Sequence, residues 1–344
     1  MKIALVHRYY PALGGVTTVV EYLKREFEKE HEVEVITNIK NVDEKNITYL
    51  PGNRISFYLN VFKYLKKTKF EVIHSQSFPV CFFAPFLKEK IFFSVQGYDE
   101  VYDKPKQFHI LLLVYFATYA RILGYRFVDG IVAISNLIKG NLTKKHDIKE
   151  NKIAVIHNGV NTKRFTPFKV KRDNKEIRIF LYGSSKRKGF DLLVKWAPEL
   201  IKQNKNLKFV IVGQKKDLPS NLGQYFEFHK NVPFKEMPKI FNSADIVLLP
   251  SICEPFGITA AEGMSCGKAT IVSKMSGAAE IVENNYNGIV SSLEDFPKNI
   301  LYLIKNPKER KIMGKKAREN TIKKLSAEVV AKKHIDFYRQ IIRK

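Results

Sequence analysis

Short apolar runs rich in β-branched residues recur along the whole chain, and amphipathic stretches separate them. In the first half they read KIALVH, EVEVIT, NITYL, EVIHS, IFFSV, GIVAIS and IAVIH. In the second half they read IRIFLYG, KFVIVG, YFEFH, IVLLPS, ATIVS and NGIVS. Strands that are apolar throughout, rather than alternating, belong to parallel sheets covered on both faces. Their alternation with helical patterns predicts doubly wound α/β architecture. The pattern restarts near residue 175, after a polar, basic and turn-rich stretch, TKRFTPFKVKRDNKE, at 162–176. This predicts an N-terminal domain over 1–170, a C-terminal domain over 171–325 and a terminal helix over 326–344. Two such domains facing each other would form a cleft along the carboxyl edges of both sheets, where ligands of this architecture bind.

Two segments depart from the plain pattern. FHILLLVYFATYARILGYRFV, at 108–128, is apolar but interrupted by His109, Arg121 and Arg126. Its uninterrupted apolar stretch is far shorter than the ~20 residues a membrane span needs. It is read as a buried helix, the alternative being a helix that docks on a membrane or a lipid-bearing substrate. VFKYLKKTKF, at 61–70, mixes aromatics with lysines and is a second candidate for interfacial contact.

Composition adds two constraints. The 344-residue chain carries a formal net charge of +25. The excess is spread over both halves, about +9 up to residue 165 and about +16 beyond it. Such a field attracts polyanions: nucleic acid, an anionic membrane or phosphorylated ligands. No aromatic-basic RNA motif, zinc finger or helix-turn-helix pattern accompanies it, so specific nucleic-acid binding is not expected. Cys81, Cys253 and Cys266 have neither disulfide nor metal-ligand spacing, which points to a reducing compartment. The first residues, MKIALVHRYY, read as a buried strand and not as a signal peptide. The expected location is cytoplasmic, with peripheral contact at the inner membrane face.

Three glycine-containing turns carry candidate chemistry. Gly14-Gly15 follow the first strand and open an amphipathic helix, whose free N–H groups suit an anion. A tight turn alone would also explain them. In YGSSKRKGFDLLV, Gly183 and Gly189 bracket Lys186, Arg187 and Lys188 before another helix. Cations on such a turn suit a diphosphate, each charge-assisted bond contributing roughly 1.5–3 kcal/mol. A basic surface loop is the alternative. In EPFGITAAEGMSCG, at 254–267, Glu254 follows a strand and Glu262 lies inside the next helix. At about 1.5 Å per residue the two acids fall roughly 8–12 Å apart, within reach of one ligand of nucleotide-sugar length. Glutamates accept paired bonds from vicinal hydroxyls, which sugars and ribose both offer.

The stretch ADIVLLPSICEPFGITAAEGMSCGKATIVSKMSGAAEIVENNYNGIVSS resembles the hallmark of retaining glycosyltransferases of family 4, which have the GT-B fold. EVIHSQS, FVDGIVAISNLIKGNL and NKIAVIHNGVNTKRFTP agree in order, and SAEVVAKKHIDFYRQIIRK resembles the family's terminal helix. The resemblance implies two Rossmann-like domains and transfer of a hexose or N-acetylhexosamine from a UDP- or GDP-sugar. The acceptor would be a glycan, a lipid-linked sugar or a small molecule. It implies that Glu254 bonds hydroxyls of the transferred sugar and Glu262 bonds the ribose. The backbone of Phe256, Gly257 and Ile258 would approach sugar and phosphate, and Lys188 would hold the diphosphate together with Gly183. Gly14 and Gly15 would approach the same diphosphate from the first domain.

Two positions depart from the family. Ser184 follows Gly183 where the family carries an arginine, and Arg187 is the nearest substitute by position. In SVQGYDE, Gln96 stands where the family has a histidine that contacts the donor sugar. Glutamine can still hydrogen bond but does not titrate near neutral pH. With no Asp-x-Asp motif, neither metal nor cofactor is expected. The alternatives are another GT-B enzyme, such as a sugar phosphorylase or nucleotide-sugar epimerase, or a non-catalytic binder of nucleotide sugars or polyanions.

Overall fold

The computed structural model describes every residue except 12–13, 41–43, 98–107, 174 and 344, and over 108–115 it describes the backbone alone. The chain forms two compact units, Met1–Gly159 with Ala327–Lys344, and Val160–Ser326.

In the first unit the order is β1 (Lys2–Val6), α1 (Gly15–Phe27), β2 (Glu32–Thr37), β3 (Ile47–Tyr49), α2 (Arg54–Lys67) and β4 (Val72–Ser75). There follow β5 (Lys90–Val95), α3 (Phe108–Phe127), β6 (Gly130–Ala133), α4 (Asn136–Lys144) and β7 (Ile153–Val155). The seven strands form one sheet in the order β3-β2-β1-β4-β5-β6-β7. Every pairing is parallel. The central strands β1, β4, β5 and β6 are buried on both faces, which explains their largely apolar character, whereas β2 and the edge strand β3 keep exposed or half-buried positions. Val19, Leu23 and Phe27 of α1 join Leu5 and Val35 of the sheet in one core.

The second unit runs β8 (Ile177–Tyr182), α5 (Phe190–Gln203), β9 (Leu207–Val212), β10 (Phe226–His229), α6 (Met237–Ser243) and β11 (Ile246–Leu249). It continues through α7 (Ile258–Ser265), β12 (Ala269–Ser273), β13 (Ile289–Ser291), α8 (Phe296–Lys305) and α9 (Pro307–Leu325). Its six-stranded sheet has the order β10-β9-β8-β11-β12-β13, again parallel throughout. The basic stretch that opens the second half packs here. Phe165 lies against Phe234 and Phe241 at 5.6 and 5.8 Å. Arg172 makes a two-pronged pair with Asp245 at 2.7 and 2.8 Å. The last helix, α10 (Ala327–Ile342), returns to the first unit, where Val330 and Tyr338 enter the core beside α1.

In each sheet the strand order reverses at the first strand of the unit, between β1 and β4 and between β8 and β11. Loops leaving such a pair diverge and open a crevice at the carboxyl edge. The strand order alone therefore marks the loops after β8 and β11 as a binding position.

The 108–128 segment differs from its sequence reading as a buried helix. On the described part of α3, Tyr125 is buried, but Phe116 is 73% and Tyr119 68% exposed. Leu123 and Phe127 are exposed as well. Only one stripe packs, because the short 3-10 segment Phe78–Phe86 covers a single side: Gly124 abuts Phe78 and Cys81. Among the described residues no helix is long and apolar enough to cross a membrane.

Candidate active site

The loop after β8 holds Gly183, Ser184 and the 3-10 turn Lys186–Lys188. The loop after β11 holds Glu254 and ends at Gly257, which caps α7. The two loops touch. Gly189 has φ 79°, and a Cβ there would lie 2.3 Å from the carbonyl oxygen of Pro250. Only glycine permits both the conformation and the approach. The Ile252 N–H then donates to the Arg187 carbonyl at 3.1 Å, and Arg187 Nη1 donates to the Cys253 carbonyl at 3.1 Å.

This contact aims the side chains. Lys188 Nζ forms an ion pair with the Glu254 carboxylate, and Arg187 Nη1 lies 3.8 Å from the same oxygen. Glu254 is mostly buried, and its backbone is pinned: its carbonyl accepts from the Gly277 N–H at 2.9 Å. Gly257, at φ 94°, brings the backbone against Leu249, where a Cβ would lie 2.5 Å from Cδ2. The turn lets the buried Phe256 anchor the loop while Ile258 begins α7. Loops from three strand ends thus hold one carboxylate beside two cations.

Glu262 lies one helix turn into α7, which is buried along its length. Burial pushes its carboxyl up to about 8, with Arg164 pulling the other way. The partly exposed Tyr182, at the end of β8, has its hydroxyl raised by partial burial and then by Glu262. Such a carboxyl is neutral through most of the physiological range, and hydroxyl donors or a cation approaching it favour its ionised form.

The ordinary value of the Glu262 carboxyl is 4.5, and the folded value is about 8. Its stabilising contribution is complete below 4.5 and is lost as pH rises through about 8, because the unfolded chain ionises first. Glu262→Gln keeps the neutral shape at every pH. Between pH 5 and 8.5 the melting point of the parent should fall relative to the variant by about 5–10 °C. Parallel curves for the two proteins would refute the burial assignment.

In the first unit, Gly14 precedes and Gly15 begins α1, and Thr18 N–H bonds to the Gly14 carbonyl at 3.1 Å. Gln96 follows β5 and is fixed at both ends of its amide. It donates to Gln76 Oε1 at 3.0 Å and accepts from Asn158 Nδ2 at 3.0 Å. Behind Gln76 lies His74, which contacts Ser94 Oγ at 2.7 Å and the Tyr338 hydroxyl of α10. Burial, and then His334, hold His74 well below its ordinary range, so it is a neutral partner. Sequence reasoning missed this chain, together with Arg164 and Tyr182. The chain joins residues far apart in sequence, and no local pattern marks it.

Two parallel doubly wound units, one carrying paired cations and a carboxylate at its strand-order reversal, define the GT-B class of proteins. Known proteins agree. Residues 162–320 match the family described as glycosyl transferases group 1, and residues 13–164 match glycosyltransferase family 4. An uncharacterized glycosyltransferase of Methanocaldococcus jannaschii is 28% identical over 347 residues, covering 93% of each chain. Sucrose-phosphate synthase from Thermosynechococcus elongatus shares the fold with a TM-score of 0.80 at 18% identity, over 99% of each chain. The Anabaena protein HepE, solved in complex with UDP-glucose, does so with a TM-score of 0.72 at 15% identity, over 100% of this chain and 98% of its own. The chain belongs to the GT-B glycosyltransferases formed by these two family halves and is a glycosyltransferase.

Proposed function

We propose that the protein moves a hexose or N-acetylhexosamine from a UDP- or GDP-sugar to a sugar-bearing acceptor, with retention of anomeric configuration. The observation that carries this reading is the convergence of Lys188 and Arg187 on Glu254 at the carboxyl edge of the second sheet. Negative charge develops on the departing diphosphate, and donors already aimed at it lower the barrier. In this reading Lys188 and Arg187 supply those donors beside the Gly183–Ser184 turn. Glu254 accepts from hydroxyls of the transferred sugar. Glu262 accepts from the ribose, and the backbone of Phe256, Gly257 and Ile258 lines the path between them. For Gly14, Gly15 and Gln96 of the first unit the reading keeps the roles that the family resemblance implies. Gln96 is pinned by Gln76 and Asn158, so it would orient a hydroxyl without exchanging a proton. The attack takes place on the face that the leaving phosphate vacates, and no enzymic nucleophile is assigned.

The test is a thermal-shift series with UDP, GDP, ADP and the matching sugars. A ligand at a hundred times its Kd stabilises the folded form by about 2.7 kcal/mol, a rise of several degrees. One or two nucleoside diphosphates should raise the melting point, and Glu262→Gln should weaken that response. No shift with any of them at millimolar concentration would overturn the proposal. An equal shift with inorganic tripolyphosphate would favour the polyanion binder that the +25 charge allows.

A further inference from the structure

We propose that the face of the first unit formed by α2, the 3-10 segment Phe78–Phe86 and α3 docks on an anionic lipid bilayer surface. This rests on no assignment in the donor site.

On α2 the packed positions are Phe57, Val61 and Leu65. The opposite side presents Ile55 and Leu59, which are 75% and 55% exposed, followed by the half-buried Phe62 one turn on. On α3, Phe116, Tyr119, Leu123 and Phe127 recur at helical spacing and are all exposed. The 3-10 segment joins the two stripes. Phe83 and Phe86 lie 5.0 and 6.2 Å from Phe62, and Phe82 lies 6.0 Å from Phe127. The result is one continuous apolar and aromatic surface drawn from three elements. Isolated exposed apolar residues are ordinary, but a contiguous patch of this kind marks an interaction site.

Charge identifies the occupant. Residues 54–69 hold Arg54, Lys63, Lys66, Lys67 and Lys69 and no acid. Residues 108–128 hold Arg121 and Arg126 and no acid. Lys66 Nζ stands 5.1 Å from the centre of the Phe62 ring, at the border between apolar and basic surface. A second copy of the chain would set these cations against themselves with no acid from either stretch to pair them. A bilayer containing anionic lipid supplies both requirements: an apolar boundary for the aromatic rings and phosphates for the lysines. The two stretches that stood apart in the sequence are thereby brought to one surface.

The test is co-sedimentation of the full chain with vesicles of phosphatidylcholine alone, or with about a third phosphatidylglycerol. Binding to the anionic vesicles should be at least about tenfold tighter, and should weaken steeply as NaCl rises from about 0.1 to about 0.5 M. Lys63→Glu with Lys66→Glu, and separately Phe116→Glu with Leu123→Glu, should each lower binding by about tenfold or more. Ile312→Glu, at an exposed apolar position of the second unit, should bind like the parent. The melting point of each variant without ligand, measured alongside, should lie within a few degrees of the parent's and shows that they are folded. Equal binding to both vesicle types, no binding to either, or parental binding by both double variants would overturn the proposal. So would a dimer in solution that Phe116→Glu with Leu123→Glu splits while vesicle binding is absent, since the face would then be a protein interface.

Discussion

Glu254→Gln should lower kcat by about a hundredfold or more while the affinity for UDP or GDP holds or rises. The two halves of this expectation come from one ion pair. Without a donor, Lys188 is held by Glu254, with Arg187 close by. A diphosphate that takes over Lys188 leaves the carboxylate free to accept from sugar hydroxyls, so donor binding exchanges one partner for another. Glutamine has the same shape but no charge. It releases Lys188 in advance, which favours the nucleotide, and it weakens the charge-assisted bonds that hold the sugar while its bond to phosphate breaks. Steady-state kinetics with the donor identified by thermal shift, combined with titration of the nucleotide alone, separates these terms. A kcat within about twofold of the parent would remove Glu254 from the reaction, as would a loss of nucleotide affinity equal to the loss of turnover.

Much of this was legible in the sequence because parallel strands buried on both faces leave an unmistakable record. IALV, within β1, and IVLL are apolar and buried at every position because both faces of the sheet are covered there. Strand order was not legible from those runs, since nothing in IRIFLY states which neighbours it pairs with; the restart near residue 175 and the resemblance carried that. Lys188 and Glu254 were legible because each adjoins a glycine or proline of a turn, Gly189 and Pro255, and turn chemistry is local; Glu262 and Arg187 were read from their spacing to those two. What escaped depends on distance along the chain. Arg164 acts on Glu262, and His74 meets Tyr338, only after folding brings them together. Helix α3 was misjudged for a related reason. Hydropathy reports that a segment is apolar, not how many of its sides a neighbour will cover. Phe116 and Tyr119 stay exposed because a short 3-10 segment, and not a second sheet or helix layer, packs beneath.

Lys188→Ala should lower kcat/KM for the donor by about a thousandfold, with the loss divided between KM and kcat. A charge-assisted bond to phosphate contributes roughly 1.5–3 kcal/mol to the bound state. The rest arises as the bond to the sugar breaks and a further charge accumulates on the leaving oxygens. Alanine leaves the turn intact, since Lys188 ends a 3-10 turn that is closed by Gly189 and the Ser185 carbonyl and not by its own side chain. Arg187 lies farther from Glu254 and bonds to the Cys253 carbonyl, so it is positioned to compensate only in part. Lys188→Arg provides the comparison: it keeps the charge but replaces a compact ammonium with a planar fork, and should restore about a tenth of the activity or less. The two substitutions also distinguish a phosphate contact from a merely structural ion pair. If Lys188 served only to hold Glu254, then Glu254→Gln would already have removed its function, and adding Lys188→Ala would cost nothing more. The phosphate role requires the double variant to lose a further tenfold or so in kcat/KM beyond Glu254→Gln alone.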